Sequence, residues 1–234
     1  MRLWPLLLSL PLVAAESAPN TLTPAEKAAG WILLFDGRTS AGWIEVSGKP
    51  FPDTWAVEGG CLRTLPPSAG AQDIRTVEEF GSFELKFEWK MDAHGNSGVK
   101  YLIPRMDEWV NQNGRQARAR GLEYQLADNS DEVPKKDPSR AAAALYSVLA
   151  PEPLLMPRLG EFNESRLVVR EAQVEHWLNG VRVVQFDLDK VSGVAALRGG
   201  PPPKRSPISL QHHSTPVWFR NLKVRRLDTS ASLQ

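Results

Sequence analysis

Cysteine is nearly absent from this sequence, which has 234 residues and a single Cys at position 61. One cysteine cannot form an internal disulfide, so the fold depends on its packed core, and Cys61 is interpreted as a small core residue. An excess of charge of either sign is absent too, because 28 basic and 27 acidic side chains leave a formal net charge of +1. This balance argues against nucleic acid as a partner.

Standard catalytic motifs are also missing. The chain has no glycine-rich phosphate loop before a helix, no Gly-x-Ser-x-Gly, no His-Glu-x-x-His and no cysteine pair for zinc. Internal repeats, helical heptads and a regular strand–helix alternation are absent. We therefore expect neither a cofactor-driven redox enzyme nor a zinc peptidase. No cofactor is predicted, and a divalent cation is compatible with the sequence but not indicated by it.

No apolar run is long enough to span a membrane. The N-terminus carries Arg2, then an apolar stretch from Pro5 to Val13 that two prolines interrupt, then small residues suited to cleavage after Ala15. The pattern predicts a signal peptide over residues 1–15, an N-terminal segment at 16–29, one domain at 30–228 and a tail at 229–234. No cysteine directly follows the apolar run, which argues against a lipoprotein. We expect a periplasmic or secreted bacterial protein.

Short apolar runs separated by turn residues make up most of the chain, which contains 19 prolines, 17 glycines and 8 tryptophans. About a dozen strands are predicted, and the clearest runs from Phe83 to Lys90 with strict alternation of apolar and charged residues. Asn179-Gly180 predicts a type I′ hairpin turn, and Thr23 predicts the cap of a short helix. Residues 105–120 are interpreted as a long mobile loop. The predicted fold is all-β, with two packed antiparallel sheets.

The stretch from Gly121 to Asn129 places polar residues inside an otherwise buried strand. Because side chains alternate along a strand, Glu123 and Gln125 point away from the apolar face formed by Leu122, Tyr124 and Leu126. The alternative is a surface strand with a solvated Glu. The same reasoning applies to the strand from Ile208 to His213, where the polar face carries Ser209, Gln211 and His213.

Glu and His on polar strand faces predict a general acid–base couple, with a surface histidine as the alternative for His213. The small residues of Asn96-Ser97-Gly98 allow close backbone approach, and the Asn96 amide can hold a hydroxyl, although the tripeptide also suits a simple turn. Tryptophans interleaved with amides and acids suit sugars, which offer apolar ring faces and many hydroxyls. Trp177 and Trp109 are the aromatic candidates.

Six segments, in the same order along the chain, resemble the 3-keto-disaccharide hydrolase domain family. They are Trp31 to Trp43, Trp55 to Leu62, Phe83 to Gly98, Gly121 to Asn129, His176 to Gly180, and Ile208 to Asn221. The resemblance implies a jelly-roll sandwich of the concanavalin A-like lectin/glucanase type. It also implies an exported bacterial enzyme that cleaves glycosides oxidised at C3, and it favours a strand over helix for Ala141 to Val148.

The resemblance further implies roles for individual residues. Glu123 and His213 become the acid and base, and the reaction is either elimination across C1 and C2 followed by hydration, or direct displacement at C1. Contacts to substrate or to a metal are assigned to Asn96, Gln125, Asp128 and Gln211. Independently of the resemblance, Tyr101 and Trp177 are also predicted to contact the substrate. No dedicated set of metal ligands is predicted.

The chain departs from the family pattern at three positions, one of which is Phe162, where the family's Gly-Glu-Trp-Asn has Trp. Leu102 stands where the family usually has Arg, and His212 stands where it usually has Asp; Arg105 and His212 are the candidates to compensate. The alternative function is a non-catalytic, lectin-like carbohydrate-binding module, and a structural role in the cell envelope comes third. Meeting of Glu123 and His213 in one pocket favours the enzyme, whereas a flat open sheet favours the lectin. The sequence does not fix the glycoside or the oligomeric state.

Overall fold

A computed structural model describes residues 18–66, 70–191 and 201–227, so the predicted signal peptide and tail lie outside the described residues. Within these ranges the regular secondary structure is almost entirely β-strand. The α-helices are α1 (Pro24–Ala28) and α2 (Glu132–Lys136), and a 3₁₀ helix spans Pro138–Arg140. The strands are β1 (Trp31–Leu33), β2 (Trp43–Glu45), β3 (Trp55–Glu58), β4 (Cys61–Thr64), β5 (Gly70–Gln72), β6 (Ile74–Thr76), β7 (Phe83–Met91), β8 (Asn96–Asn111), β9 (Gly114–Ala127), β10 (Asn163–Arg170), β11 (Gln173–Leu178), β12 (Val181–Asp187), β13 (Ser209–Leu210) and β14 (Val217–Arg226). In the described part of the chain, no helix has the length or apolar content needed to cross a bilayer.

The strands form two sheets. The large sheet has the order β12-β11-β10-β7-β14-β4-β3, with β1 also paired to β14, and the small sheet has the order β2-β6-β13-β8-β9-β5. Pairing is antiparallel in both sheets except between β5 and β9, which run parallel. This arrangement confirms the predicted all-β sandwich of two antiparallel sheets.

Alternating side chains build the core between the two sheets. On β7, the apolar residues Phe83, Leu85, Phe87 and Trp89 are all 2% exposed or less. On β9, Leu122, Tyr124 and Leu126 are completely buried in the same cluster. Because the period along a strand is two, burying these residues turns their neighbours to the outer faces of the sandwich.

Two local predictions from the sequence are confirmed. Thr23 caps α1 through a capping box, in which its Oγ1 accepts from Glu26 N (3.1 Å) while Glu26 Oε2 accepts from Thr23 N (2.8 Å). Asn179 and Gly180 have φ angles of 47° and 82°, and a type I′ turn requires positive φ at both positions.

The predicted mobile loop at residues 105–120 is wrong. These residues form the outer half of a long β8–β9 hairpin, in which Arg105 to Asn111 pairs with Gly114 to Arg120. Ion pairs support it, including Arg115 Nε to Glu108 Oε1 (2.6 Å) and Arg120 Nε to Asp107 Oδ2 (2.8 Å). The charged side chains that suggested a solvated loop instead pair across the two strands.

Candidate active site

Strand β9 presents two polar side chains on the face of the small sheet that is turned away from the core. Glu123 is partly exposed there and lines an open cleft. Gln125 points to the same face but is only 2% exposed. The alternation predicted from the sequence therefore holds at this strand, and the Glu lies in a cleft rather than on an open surface.

A segment after the helices, residues 141–148, runs along the edge of β9. Its backbone pairs with β9 through hydrogen bonds from Gln125 N to Ala144 O (3.1 Å), Ala143 N to Gln125 O (2.8 Å) and Tyr146 N to Glu123 O (3.1 Å). The prediction of a strand over residues 141–148 is wrong, since only isolated bridges form at Leu145. Left-handed backbone at Ala143 (φ 65°) and Ser147 (φ 57°) interrupts the pairing and brings Tyr146 into the cleft.

The cleft has two lobes that share His213 and Tyr146. The first lobe, of about 370 Å³, is lined by Lys100, Trp109, Arg118, Ala119, Arg120, Gly121, Glu123, Tyr146, Ser147, Gln211 and His213. The second lobe, of about 560 Å³, is lined by His94, Gly95, Asn96, Gln125, Ala127, Asp128, Asp131, Glu132, Val133, Pro134, Arg140, Tyr146, His213 and Thr215. Glu123 and His213 thus meet in one lobe, and His213 stands between the two.

His213 follows the end of β13, where a hydrogen bond from Gln211 N to Gly98 O (2.9 Å) extends the pairing with β8. Its side chain is exposed to the cleft. Desolvation by the cleft walls and the positive charge of Arg118 nevertheless lower the pKa of His213 below its ordinary value of 6.5. The imidazole is therefore neutral near pH 7 and able to accept a proton.

Amide groups connect the central strand with β8 in the second lobe. Gln125 Nε2 donates to Asn96 Oδ1 (3.3 Å). The Thr215 hydroxyl accepts from Asn96 N and donates to Asn96 O, each at 3.0 Å. Gln211 is half-buried and lines the first lobe. Its backbone carbonyl oxygen accepts a hydrogen bond from Ser97 Oγ (2.7 Å). Of the predicted polar contacts, Gln211 thus lies in the first lobe and Asn96, Gln125 and Asp128 lie in the second.

Asp128 belongs to a small cluster with His94 and Asp131, whose candidate ligand atoms lie within 4.8 Å of one another. Both carboxylate oxygens of Asp128 accept hydrogen bonds, from His94 N (3.0 Å) and from Ser130 N and Oγ (2.8 and 2.6 Å). His94 Nδ1 contacts Asp131 Oδ1 at 2.6 Å, and this bond raises the pKa of His94. The cluster is thus assembled as an ion pair beside a turn, while its donors also suit a divalent cation.

Sequence reasoning missed a buried carboxylate beneath the first lobe. Asp73 is completely buried and accepts from Lys100 Nζ (2.9 Å), Arg118 Nη1 (2.8 Å), Ala119 N (3.1 Å) and His212 N (3.0 Å). Burial opposes its ionisation, but Lys100 and Arg118 lower the pKa of Asp73 below its usual range. Asp73 therefore ties β8, β9 and the end of β13 together as an ionised group.

Strand alternation could have predicted one of the charged residues of the first lobe. Lys100 lies between the buried Val99 and Tyr101, so alternation assigns it to the same face as Glu123, which it opposes directly across the two strands. Trp109, a candidate from the sequence, does reach the first lobe, with the guanidinium of Arg120 5.5 Å from its ring centre. Tyr146 carried no signal, because its position depends on the irregular turn after β9.

Two predicted substrate contacts lie outside the cleft. Tyr101 is completely buried between the sheets, where its hydroxyl is 2.8 Å from His176 Nε2, so it cannot touch a ligand. Trp177 lies on the outer face of the large sheet, between the guanidinium groups of Arg166 (4.8 Å) and Arg182 (5.9 Å). Both assignments as contacts in this site are therefore corrected.

The sequence matches the family model of the 3-keto-alpha-glucoside-1,2-lyase-like domain over residues 30–225. The chain belongs to this family. A 3-keto-disaccharide hydrolase of Bacteroides thetaiotaomicron is 30% identical to it over an alignment of 247 residues, gaps included. The alignment covers 93% of this chain and 84% of the relative. These matches confirm the resemblance found from the six segments.

Solved structures agree with this lyase-like family assignment. A provisionally assigned glycosyl hydrolase from Parabacteroides distasonis is 28% identical, with a TM-score of 0.75 over 90% of this chain and 100% of that one. A second such protein from the same organism is 25% identical, with a TM-score of 0.60 over 79% and 99%. A Bacillus subtilis protein with a galectin-like fold, at 10% identity and a TM-score of 0.50, supports the sandwich fold alone.

The family's Arg and Asp, which this chain lacks at positions 102 and 212, are not replaced in the cleft by Arg105 or His212. Leu102 is buried at a left-handed position (φ 48°), and Arg105 pairs with Asp107 on the hairpin (Nε to Oδ1, 2.7 Å). His212 is completely buried; its Nε2 bonds Leu65 O (2.8 Å) and its Nδ1 accepts from Ser214 N (3.2 Å). None of the three lines either lobe, so the cations of the cleft come from other strand positions.

Proposed function

We propose that this protein is an exported enzyme that cleaves the glycosidic bond of 3-keto-glycosides or 3-keto-disaccharides. The observation that carries the proposal is that Glu123 and His213 line the same lobe in a member of this family. General acid–base catalysis requires both groups within reach of one substrate. The Bacteroides thetaiotaomicron relative is named as a 3-keto-disaccharide hydrolase, which is the same class of activity.

The chemistry follows from the ketone. A carbonyl at C3 acidifies the proton on C2, so a base can remove that proton and leave an enolate. When the enolate collapses, the bond from C1 to the glycosidic oxygen breaks, and the oxygen takes a proton from an acid. Addition of water to the resulting double bond gives the free 3-keto sugar, so elimination and hydration together amount to hydrolysis.

In this scheme His213 removes the C2 proton, because its lowered pKa keeps the ring neutral near pH 7. Glu123, on β9, gives its proton to the glycosidic oxygen; β8 lies between β9 and β13, the strand that leads to His213. Direct displacement needs two carboxyl groups, about 5 to 9.5 Å apart, around C1. Glu123 is the one carboxylate among the described residues that line the first lobe, which supports elimination over displacement.

The two lobes suggest how a disaccharide is held. The 3-keto unit occupies the first lobe, where Gln211 contacts a hydroxyl and Trp109 provides an aromatic surface. The second sugar or aglycone extends past His213 into the second lobe, where Asn96, Gln125 and Asp128 contact its hydroxyls. No cofactor is assigned, and the His94–Asp128–Asp131 cluster is the place where a cation requirement would arise.

Export is part of the proposal and rests on the sequence of residues 1–15, which has the charge, apolar centre and small residues of a signal peptide. Expression of the full chain in a bacterial host, followed by N-terminal sequencing of the periplasmic or secreted product, tests it. A mature protein that begins at residue 16 is expected. A product that retains Met1 or Arg2 and stays in the cytoplasm contradicts it.

The alternative function, a lectin-like binding module, needs no acid or base. The meeting of Glu123 and His213 in a cleft with a second lobe supports the enzyme over a flat binding sheet. Incubation of the purified protein with ordinary and 3-keto glycosides, with and without chelator, separates the two functions. We expect release of aglycone from 3-keto substrates alone; binding of every glycoside without cleavage favours the lectin.

Glu123→Gln and His213→Ala test the assigned roles, each with an expected loss in kcat of about 10²- to 10⁴-fold. Glu164→Gln is the matched control, because Glu164 is an exposed acid on the large sheet and lies outside both lobes. Thermal unfolding checks that each variant folds. Cleavage of a 3-keto-glucoside at the wild-type rate by both folded variants contradicts the assignment.

A further inference from the structure

Two cations and one buried carboxylate meet beneath the first lobe. Lys100 and Arg118 line the lobe, and both bond to Asp73, which lies behind them and is completely buried. The side chains of Lys100 and Arg118 are only 6% and 16% exposed, so their heads are held in a water-poor environment. Because two positive groups share one carboxylate, Lys100, Arg118 and Asp73 together carry one net positive charge, and Glu123 faces the same lobe.

The cations are placed next to the proposed acid and base. Lys100 on β8 is directly opposite Glu123 on β9, and both side chains project from the same face of the sheet. Arg118 donates through Nη1 to the carbonyl oxygen of His212, the residue before His213. A sugar ring between Glu123 and His213 would therefore present its oxygens to Lys100 and Arg118.

We propose that Lys100 and Arg118 are catalytic residues that stabilise the enolate oxygen at C3, with Asp73 as the residue that positions them. This inference rests on the proposed function and adds the group that makes its first step feasible. The base takes the C2 proton, the C–H electron pair forms the C2–C3 double bond, and the carbonyl pair moves onto the C3 oxygen. Collapse reverses that shift and expels the glycosidic oxygen, so the negative charge on the C3 oxygen exists only between the two events.

Preorganised charge is effective for this purpose. Donors already fixed by Asp73 need not reorient when the charge develops, and in a water-poor site each is worth far more than in solution. The same two cations should make the enzyme selective for ketones. An ordinary glycoside carries a hydroxyl at C3, which develops no negative charge and gains nothing from Lys100 and Arg118 beyond ground-state hydrogen bonds.

A purely structural role for the trio predicts a different outcome. If Lys100 and Arg118 only hold strands together, their loss lowers stability but does not change the rate of proton removal in the folded protein. Exchange of the C2 hydrogen for deuterium, followed by NMR with methyl 3-keto-glucoside in D₂O, reports proton removal directly. It does so independently of cleavage at C1.

The test compares Lys100→Gln and Arg118→Gln with wild type. Arg166→Gln is the control, since Arg166 pairs with the buried Glu84 (2.6 Å) on the large sheet, away from the cleft. We expect C2 exchange and kcat to fall by about 10²- to 10³-fold in each cleft variant, with KM changed by less than about threefold. The control should match wild type.

Folded cleft variants that exchange C2 at wild-type rate overturn the inference while the proposed function stands. A wild-type protein that neither exchanges nor cleaves any 3-keto glycoside overturns the proposed function and this inference with it. If the variants do not fold, binding of an enolate mimic to the wild-type protein still tests the inference. The nitronate of methyl 3-deoxy-3-nitroglucoside mimics the enolate and should bind at least about tenfold more tightly than methyl glucoside; equal affinity overturns the inference.

Discussion

The carboxylate of Glu123 packs directly over the α-carbon of Gly98 on the neighbouring strand. A Cβ atom at position 98 would lie 2.7 Å from Glu123 Cδ and 2.8 Å from its Cγ, closer than van der Waals contact permits. Since Gly98 does not adopt a left-handed backbone, glycine is required here by space and not by conformation. The Asn96-Ser97-Gly98 segment therefore shapes the position of the proposed catalytic acid.

Gly98→Ala should separate activity from stability. The added methyl group displaces the flexible end of Glu123, so kcat/KM is expected to fall by about tenfold or more, while the free energy of unfolding changes by less than about 1 kcal/mol. Steady-state kinetics and denaturant titration measure the two effects. In a Glu123→Gln background the same substitution should cost no further activity, and a second, additive loss would contradict a role through Glu123.

The pH dependence of kcat/KM should report His213. Because its pKa is lowered, the acidic limb is expected below pH 6.5, with activity falling as the pH drops and the ring becomes protonated. Arg118→Gln removes one of the charges that lower this pKa, so the limb should move to higher pH. A wild-type limb at or above pH 6.5, or one that Arg118→Gln leaves in place, would contradict the assignment of His213 as base.

Strand parity predicted the most useful part of the site. Alternation along Gly121 to Asn129 placed Glu123 and Gln125 on the polar face, and alternation along Ile208 to His213 did the same for Gln211 and His213. Pairing of β13 with β8, and of β8 with β9, then brings the two strands onto one face. Because the face that a side chain occupies depends only on the local sequence pattern, it can be predicted without knowledge of the fold.

The parts that could not be predicted depend on contacts between distant residues. Asp73 meets partners 27 and 45 positions further along the chain. Trp177 has the outward parity expected of a ligand contact, but parity does not say which sheet a strand joins. Tyr101 shares the parity of the buried Val99, so alternation places it in the core and not in the site.

Tyr101→Phe should therefore affect stability and not catalysis. His176 Nδ1 donates to Ala143 O (2.9 Å), so its Nε2 accepts from the Tyr101 hydroxyl in the core. Removal of that hydroxyl is expected to lower the free energy of unfolding by about 1–3 kcal/mol. KM and kcat should stay at wild-type values in the folded protein. A several-fold rise in KM without loss of stability would return Tyr101 to the substrate site.

Asp73 should make stability depend on acid pH. Its folded pKa is lowered by Lys100 and Arg118, so its contribution is fully present above the unfolded pKa of about 3.9 and is lost as the pH falls through the folded value. Asp73→Asn is expected to cost about 3–5 kcal/mol near pH 7, because two buried cations lose their partner. Denaturant titrations near pH 7 and pH 3 should show a smaller difference from wild type at the lower pH. An equal difference at both would contradict an ionised Asp73.

Removal of metal ions should leave activity unchanged, although His94, Asp128 and Asp131 have donors of the right kind. Both Asp128 oxygens are occupied by hydrogen bonds, and Asp131 is paired with His94, whose pKa this bond raises; the raised pKa favours the protonated ring, which cannot ligate. A cation must displace these bonds and a proton, so binding should be weak near pH 7 and stronger as His94 loses its proton. Assays with and without chelator near pH 7 and pH 8.5 test this. Loss of activity that Mn²⁺ or Ca²⁺ restores in wild type, but not in Asp131→Asn, would instead make the cluster a metal site of the second lobe.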